Sequence, residues 1–171
     1  FNMRFLILFI FLLTNSMAGE NIDIKNLVIN KELKRYDSLT FLDAKNNQLN
    51  LGDYKGNLVL LNFWATWCAP CKKEMPSLDL LQSNKNLDNL KVFAINVGKD
   101  DIESALKFFD DLKIENLTPY FDSPVTLAKK FRLRGIPTSI LFNKNGEEFA
   151  RIIGSIDFGD SGFIKWLSNY N

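Results

Sequence analysis

The sequence contains no histidine and only two cysteines among its 171 residues. The missing histidine removes the commonest metal ligand, the commonest general base and every Ser–His or Cys–His catalytic pair. Two cysteines are too few for a disulfide framework in a chain of this length. A zinc site would need four Cys or His ligands, which only a dimer sharing both cysteine pairs could supply. The pair is therefore a reactive couple or half of a metal site, and we expect no metal and no cofactor.

The chain also has almost no net charge, with 21 basic and 20 acidic residues and a balance of +1. This balance argues against a nucleic-acid partner and against an anionic membrane surface. The hydrophobic fraction of 46% and the 15 phenylalanines indicate a globular protein rather than a disordered one. A chain of this size is normally one domain with a core large enough to fold alone.

No apolar run is long enough to cross a bilayer, which needs about 20 residues. The longest run, Phe5–Leu13, follows Arg4 and ends near small residues, a pattern typical of a secretory signal. We expect a signal peptide over residues 1–18 that is cleaved at its end, with an uncleaved anchor as the alternative. Both cases place the protein in the periplasm, soluble or anchored by that segment. Residues 19–38 then form a lead segment on the surface, ahead of a folded domain over 39–171.

Apolar runs and turn residues predict alternating strands and helices. The runs Leu58–Phe63 and Leu90–Val97 have the length and composition of buried strands. A helical pattern follows each run, the first from Ala69 and the second after Asp100, which is in position to be its N-cap. Two hairpins and a last helix complete the series: Leu39–Leu51, the turn at Gly146, and Asp160–Asn169. This order predicts an α/β layer structure with right-handed crossovers.

Both cysteines lie in the stretch Trp64–Cys71, between the first predicted strand and its helix. A C-x-x-C at such a junction indicates a thiol–disulfide redox site. Cys68 is the expected nucleophile, because unpaired backbone N–H groups and the helix dipole stabilise its thiolate. Cys71, one turn into the helix, is expected to resolve the mixed disulfide, and Ala69 and Pro70 stiffen the ring between them. A passive disulfide is the alternative, although so short a ring stabilises a fold little.

A second feature is the proline in Gly135-Ile136-Pro137-Thr138. A proline at the entry to a strand is unusual unless its peptide bond is cis or the strand lies at an edge. A cis bond before Pro137 would leave the N–H and C=O of Ile136 free to pair with an extended substrate. The local sequence alone leaves this interpretation and an ordinary loop proline equally open.

Taken together, these motifs resemble those of the exported TlpA/ResA-like thiol–disulfide oxidoreductases of the thioredoxin superfamily. The resemblance runs from about Leu39 to the C-terminus and rests on Phe63–Pro76, FWATWCAPCKKEMP, and on Gly135–Ser139, GIPTS. It implies a thioredoxin fold: a central mixed sheet flanked by helices, with an N-terminal β-hairpin and a strand–helix insertion. It also implies that Pro137 is cis and faces Cys68, and that Trp67 flanks the active site.

Two positions depart from the pattern of the relatives. Thioredoxin carries a buried Asp where this chain has Asn62, and some ResA-like members carry a Glu where this chain has Lys99. The group that exchanges a proton with Cys71 is therefore not given by the resemblance. Glu74 is the nearest carboxylate in sequence and is the candidate proton relay, with water as the alternative.

The resemblance implies a reductant of protein disulfides that acts in maturation of cytochrome c or of the copper site of cytochrome oxidase. Its partners would be protein thiol or disulfide substrates and a membrane electron donor of the DsbD/CcdA type, and the protein would be a monomer. One alternative is a redoxin-type thiol peroxidase, against which the C-x-x-C argues. Another is a copper chaperone without enzymatic activity, although Sco-type chaperones use a histidine that this chain lacks.

Overall fold

The computed structural model describes residues 23–171. The predicted signal peptide over residues 1–18 lies outside this range, as does the beginning of the lead segment. No helix in the described part of the chain has both the length and the apolar character needed to cross a membrane.

A single eight-stranded sheet organises the fold, with the spatial order β1-β8-β7-β4-β5-β6-β2-β3. The pairs β4–β5 and β5–β6 are parallel and the other neighbours are antiparallel. The strands are β1 Leu27–Lys34, β2 Thr40–Leu42, β3 Gln48–Asn50, β4 Leu58–Trp64, β5 Leu90–Asn96, β6 Pro119–Phe121, β7 Thr138–Phe142 and β8 Glu148–Ile153. The helices are α1 Ala69–Gln82, α2 Ile102–Asp111, α3 Leu127–Lys130 and α4 Ser161–Ser168. The predicted α/β class with a central mixed sheet is confirmed.

The central strand β4 is buried along its whole length, as its apolar run predicted. Strands that are covered on both faces have nearly continuous apolar sequences, and this is true of β4 and β5. Alternate residues of β4 enter two separate cores: Leu60 and Trp64 pack with Met75 of α1, whereas Leu61 packs with Phe131 on the other face. The C-terminal end of β4 is thereby fixed between two packed layers, and α1 begins a few residues later.

The predicted N-terminal hairpin is present as β2 and β3, with Phe41 opposite Leu49. It joins the rest of the sheet through a pair between β2 and β6, where Leu42 lies opposite Phe121. The predicted strand–helix insertion is also present, since α2 and β6 follow β5 before the chain returns to the centre of the sheet.

The lead segment contributes a strand that the sequence pattern did not indicate. Residues Leu27–Lys34 pair antiparallel with β8, so the sheet begins before Leu39. Val28 and Ile29 are neighbours on an edge strand and are both exposed. Apolar and charged residues in this segment therefore do not alternate regularly. Long-range pairing rather than local pattern therefore decides this element.

Candidate active site

The two cysteines are positioned by the end of β4 and the start of α1. Cys68 is the N-cap of α1, and its Sγ accepts a hydrogen bond from the Cys71 N–H at 3.3 Å. The sulfurs form a disulfide, with the two Cα atoms 5.2 Å apart. Cys68 keeps 4% of its surface exposed and Cys71 none. At this N-cap position, the Cys71 N–H and the positive end of the helix dipole favour a thiolate on Cys68.

Exposed apolar residues lie beside the cysteine pair and form a rim. Trp67 has 71% of its surface exposed, and Ala69 and Pro70 are exposed on the first turn of α1. A partner that reaches Cys68 must therefore contact this apolar rim.

The Ile136–Pro137 peptide bond is cis, as the family resemblance implied. Pro137 is buried and its C=O accepts a hydrogen bond from the Gly154 N–H at 3.0 Å. The next residue, Thr138, lies opposite Phe63 in the pairing of β7 with β4, so this loop lies at the same edge of the sheet as the C-x-x-C turn. Within residues 23–171, neither the N–H nor the C=O of Ile136 bonds to another backbone group.

Glu74 lies one helical turn after Cys71 and is buried, with 2% of its surface exposed. Its Oε1 accepts a hydrogen bond from Asn62 Nδ2 at 2.8 Å, and its Oε2 accepts one from the Ile156 N–H at 3.3 Å. Burial raises the pKa of Glu74 to about 7, although these two hydrogen bonds favour the charged form and oppose the shift. A carboxyl with this pKa can both take up and release a proton near neutral pH.

Asn62 connects Glu74 to the strand that follows Pro137. Its Nδ2 also donates to Ser139 Oγ at 3.0 Å, and all three side chains are buried. Within the described part of the chain, the fully buried Asn62 Oδ1 has no hydrogen-bond partner. The position that holds an Asp in thioredoxin thus holds a neutral amide here, and the carboxylate is supplied by α1 instead.

An open groove of about 490 Å³ runs along α1 beside Glu74. Its lining residues come from α1, from the segment before β1 and from the chain after β8: Lys25, Lys73, Glu74, Pro76, Ser77, Ser155, Ile156 and Asp157. The groove gives the buried carboxyl a short path to solvent.

Asp100 is a residue of the site that the sequence analysis misassigned. The N-cap of α2 is Asp101, whose carboxylate accepts the Ser104 N–H at 2.7 Å. Asp100 instead accepts the Thr66 N–H at 2.9 Å and the Thr66 hydroxyl at 2.7 Å. Partial burial would raise the Asp100 pKa, but these bonds and one from Asn96 lower it below its usual range. Asp100 therefore fixes the turn that leads to Cys68.

Gly98 allows this close approach of the two loops. A Cβ at Gly98 would lie 3.2 Å from the Ala65 Cβ and 2.8 Å from Asp100 Oδ2. Asp100 and Asp101 are neighbours in sequence, and the local pattern does not indicate which of them caps α2 and which contacts the loop before Cys68. Gly98, two residues before Asp100, was the available sign of a close backbone approach.

Residues 26–147 match the AhpC/TSA family. The chain is 32% identical to the thiol-disulfide oxidoreductase ResA of Geobacillus kaustophilus over 114 residues, which are 67% of this chain and 64% of that protein. It is 30% identical to ResA of Bacillus cereus (strain ZK / E33L) over 132 residues, 77% of this chain and 73% of that protein. The matched part is thus less than two thirds of the Geobacillus relative. The crystal structure of StoA from Bacillus subtilis shares the fold, with a TM-score of 0.62 and 24% identity over 78% of this chain and 95% of that one.

Proposed function

Because the chain belongs to the AhpC/TSA family and resembles its ResA-type thiol–disulfide oxidoreductases, we propose that it reduces disulfides of other exported proteins through Cys68 and Cys71. The observation that carries this proposal is the placement of the two sulfurs. Cys68 caps the N-terminus of α1 at the edge of an exposed apolar rim, and Cys71 is buried one turn later within bonding distance.

The first step is attack by the Cys68 thiolate on a sulfur of the client disulfide. A bond forms between Cys68 Sγ and that sulfur, the client disulfide breaks, and the other client sulfur leaves as a thiolate. Trp67 and Pro70 contact the client chain around the attacked sulfur. The N–H and C=O of Ile136, which bond to no other backbone group within residues 23–171, pair with the client backbone in the manner of an added strand.

The second step needs the Cys71 thiol to lose its proton. Glu74 accepts this proton, so the S–H bond of Cys71 breaks and an O–H bond forms on the carboxyl. The Cys71 thiolate then attacks Cys68 Sγ, which closes the Cys68–Cys71 disulfide and releases the second client sulfur. The client gains two electrons, the protein loses two, and Glu74 returns its proton to solvent through the groove beside α1.

We place this reaction in the periplasm, with the N-terminal segment as a cleaved signal or an anchor. The clients we propose are proteins whose cysteines receive haem in cytochrome c or copper in cytochrome oxidase. A membrane electron donor of the DsbD/CcdA type would reduce the Cys68–Cys71 disulfide after each cycle. The protein would act as a monomer, since each chain carries a complete pair of cysteines.

The experiment that tests this proposal is a trap in the native periplasm. Cys71→Ser removes the resolving thiol, so we expect Cys68 to hold its client as a mixed disulfide that mass spectrometry identifies. The double variant Cys68→Ser/Cys71→Ser is the matched control and should hold no client. If Cys71→Ser yields no adducts beyond those of the double variant, the exchange mechanism is wrong; if the adducts lack cytochrome and oxidase proteins, the proposed clients are wrong.

A further inference from the structure

The nitrogen and the oxygen of the Asn62 side-chain amide differ in their hydrogen bonds. Its nitrogen donates twice, to Glu74 Oε1 at 2.8 Å and to Ser139 Oγ at 3.0 Å. Its oxygen is buried and accepts no hydrogen bond from residues 23–171. A buried acceptor without a donor costs free energy that most native structures avoid, so such an atom calls for an explanation.

Both partners of Asn62 can act as donor or as acceptor. A charged carboxylate only accepts, but a protonated carboxyl also carries one O–H donor. A serine hydroxyl donates as readily as it accepts. The arrangement with the Asn62 nitrogen toward Glu74 therefore fits the charged carboxylate, whereas the arrangement with the oxygen toward Glu74 fits the protonated acid.

A proton on Glu74 needs an acceptor, and neither of the two described groups that now bond to its carboxyl is one. Its two oxygens face the Asn62 nitrogen and the Ile156 N–H, which are both donors. Rotation of the Asn62 amide by half a turn would bring the unpaired Oδ1 to the place of Nδ2. That oxygen would then accept both the Glu74 O–H and the Ser139 O–H, and the number of unpaired groups on the amide would stay the same.

We infer that Asn62 is a positioning residue whose amide turns over each time Glu74 gains or loses its proton. This inference rests on the proposed role of Glu74 as the proton acceptor for Cys71, and deepens it. The two amide orientations stabilise the two protonation states in turn, so neither form of the acid is left without a matched partner. Ser139 lies two residues after Pro137 on β7, so the turn also changes a hydrogen bond on the strand that follows the client-binding loop.

Several residues with ionisable side chains lie around Glu74, although Cys71 does not titrate while it is in the disulfide. Cys71 and Lys73 lie on its own helix, while Lys25 and Asp157 face it across the groove. The strands beneath it, β4 and β7, contain no titratable residue. A pH-dependent change at the Asn62 amide therefore reports the Glu74 carboxyl rather than a group on its own sheet.

Solution NMR on the oxidised protein tests this inference without a client. We expect the carboxyl ¹³C of Glu74 and the side-chain NH₂ of Asn62 to titrate with one shared midpoint. Above that midpoint the NH₂ protons should give NOEs to Ser139, and below it these NOEs should disappear. NOEs that keep the same pattern on both sides of the midpoint would overturn the inference.

A variant pair separates this role from ordinary packing. Asn62→Leu removes the amide from both protonation states of Glu74. The hydrogen bond to the charged carboxylate is charge-assisted and is the stronger of the two, so the Glu74 midpoint should rise by about one pH unit. Asn96→Leu removes another buried amide from the neighbouring strand and should leave the midpoint unchanged. An unchanged midpoint in Asn62→Leu would contradict the inference, and if this variant does not fold, the wild-type titration decides alone. If the Asn62 amide does not turn, this inference fails, but exchange by Cys68 and Cys71 is still expected. If Cys71→Ser traps no client, the proposed function fails, but the titration of the amide is still expected.

Discussion

Glu74 is an acid whose chemistry is set by its surroundings rather than by its residue type. An exposed glutamate is almost fully charged at neutral pH, but burial raises the pKa of Glu74, a residue of α1, to about 7. Both protonation states are therefore populated near neutral pH. This is the property that a group exchanging protons with Cys71 needs, and α1 places it one turn from that cysteine.

Replacing Glu74 with Gln should slow the resolution step. Without the carboxylate the Cys71 thiol must lose its proton to water, and we expect the rate at pH 7 to fall by about tenfold to a hundredfold. Stopped-flow measurement of mixed-disulfide resolution against pH checks this expectation, with Glu103→Gln as an exposed control. A rate and pH profile equal to those of the wild type would show that water serves Cys71 instead.

The same carboxyl predicts how stability changes with pH. Its pKa is raised on folding, so between pH 4.5 and about 7 the folded state binds more protons than the unfolded state. The free energy of unfolding should therefore fall as pH rises through this window, by up to about 3 kcal/mol from this group. Urea unfolding at several pH values should show this slope in the wild type and a smaller one in Glu74→Gln. Parallel curves for the two proteins would refute the shift.

Residue types and spacing predicted the roles of the cysteines and the candidate relay, because these lie in one short stretch. The hydrogen bonds of Asn62, which link Glu74 to Ser139, were not predictable in the same way. Asn62 and Ser139 are 77 positions apart, and only the pairing of β4 with β7 brings them together. The separate roles of Asp100 and Asp101 were not predicted for a related reason, because either residue satisfies the local rule for an N-cap.

At the scale of elements, the loop between β4 and α1 is held by a neighbouring loop. The Asp100 carboxylate accepts both the N–H and the hydroxyl of Thr66, two positions before Cys68. Asp100→Ala should free this turn, which we expect to raise the exchange rate of the Thr66 amide proton and to slow reaction with a client. Asp101→Ala, which loses only a helix cap, is the control for exchange at Thr66. Equal protection of the Thr66 amide in wild type and Asp100→Ala would contradict this assignment.

The edge strand β1 is attached to β8 through a buried charge. Glu148 is fully buried and accepts hydrogen bonds from Arg151, Tyr36 and Asn30. Burial alone would raise the pKa of Glu148, but these bonds outweigh it and lower the pKa to about 2. The charge is therefore kept throughout the pH range in which the protein functions, and its contribution to stability is lost only as pH falls from 4.5 toward 2.

Arg151→Met should be strongly destabilising, by about 3–5 kcal/mol, because it leaves the Glu148 carboxylate buried without its main partner. The double variant Glu148→Met/Arg151→Met should recover much of that loss, since no buried charge remains. Thermal and urea unfolding of the three proteins measure both effects. A double variant no more stable than Arg151→Met would show that packing, not charge, holds this strand.

At the scale of the whole molecule, the sheet brings distant segments to one edge. The cysteines follow β4, Pro137 directly precedes β7, and Asp100 follows the end of β5. The apolar runs of β4 and β5 were sufficient to predict the centre of this sheet and its layers. Its outer strand β1 was not predictable, because an exposed edge strand has no buried face to impose a pattern.

The reduction potential of the Cys68–Cys71 pair decides whether this protein reduces or oxidises the disulfides of its clients. It is measured by equilibrating the protein with defined ratios of reduced and oxidised dithiothreitol or glutathione, followed by thiol alkylation. We expect a value near that of thioredoxin, about −270 mV, at which electrons flow from the protein to client disulfides. A value near that of the oxidant DsbA, about −120 mV, would contradict it.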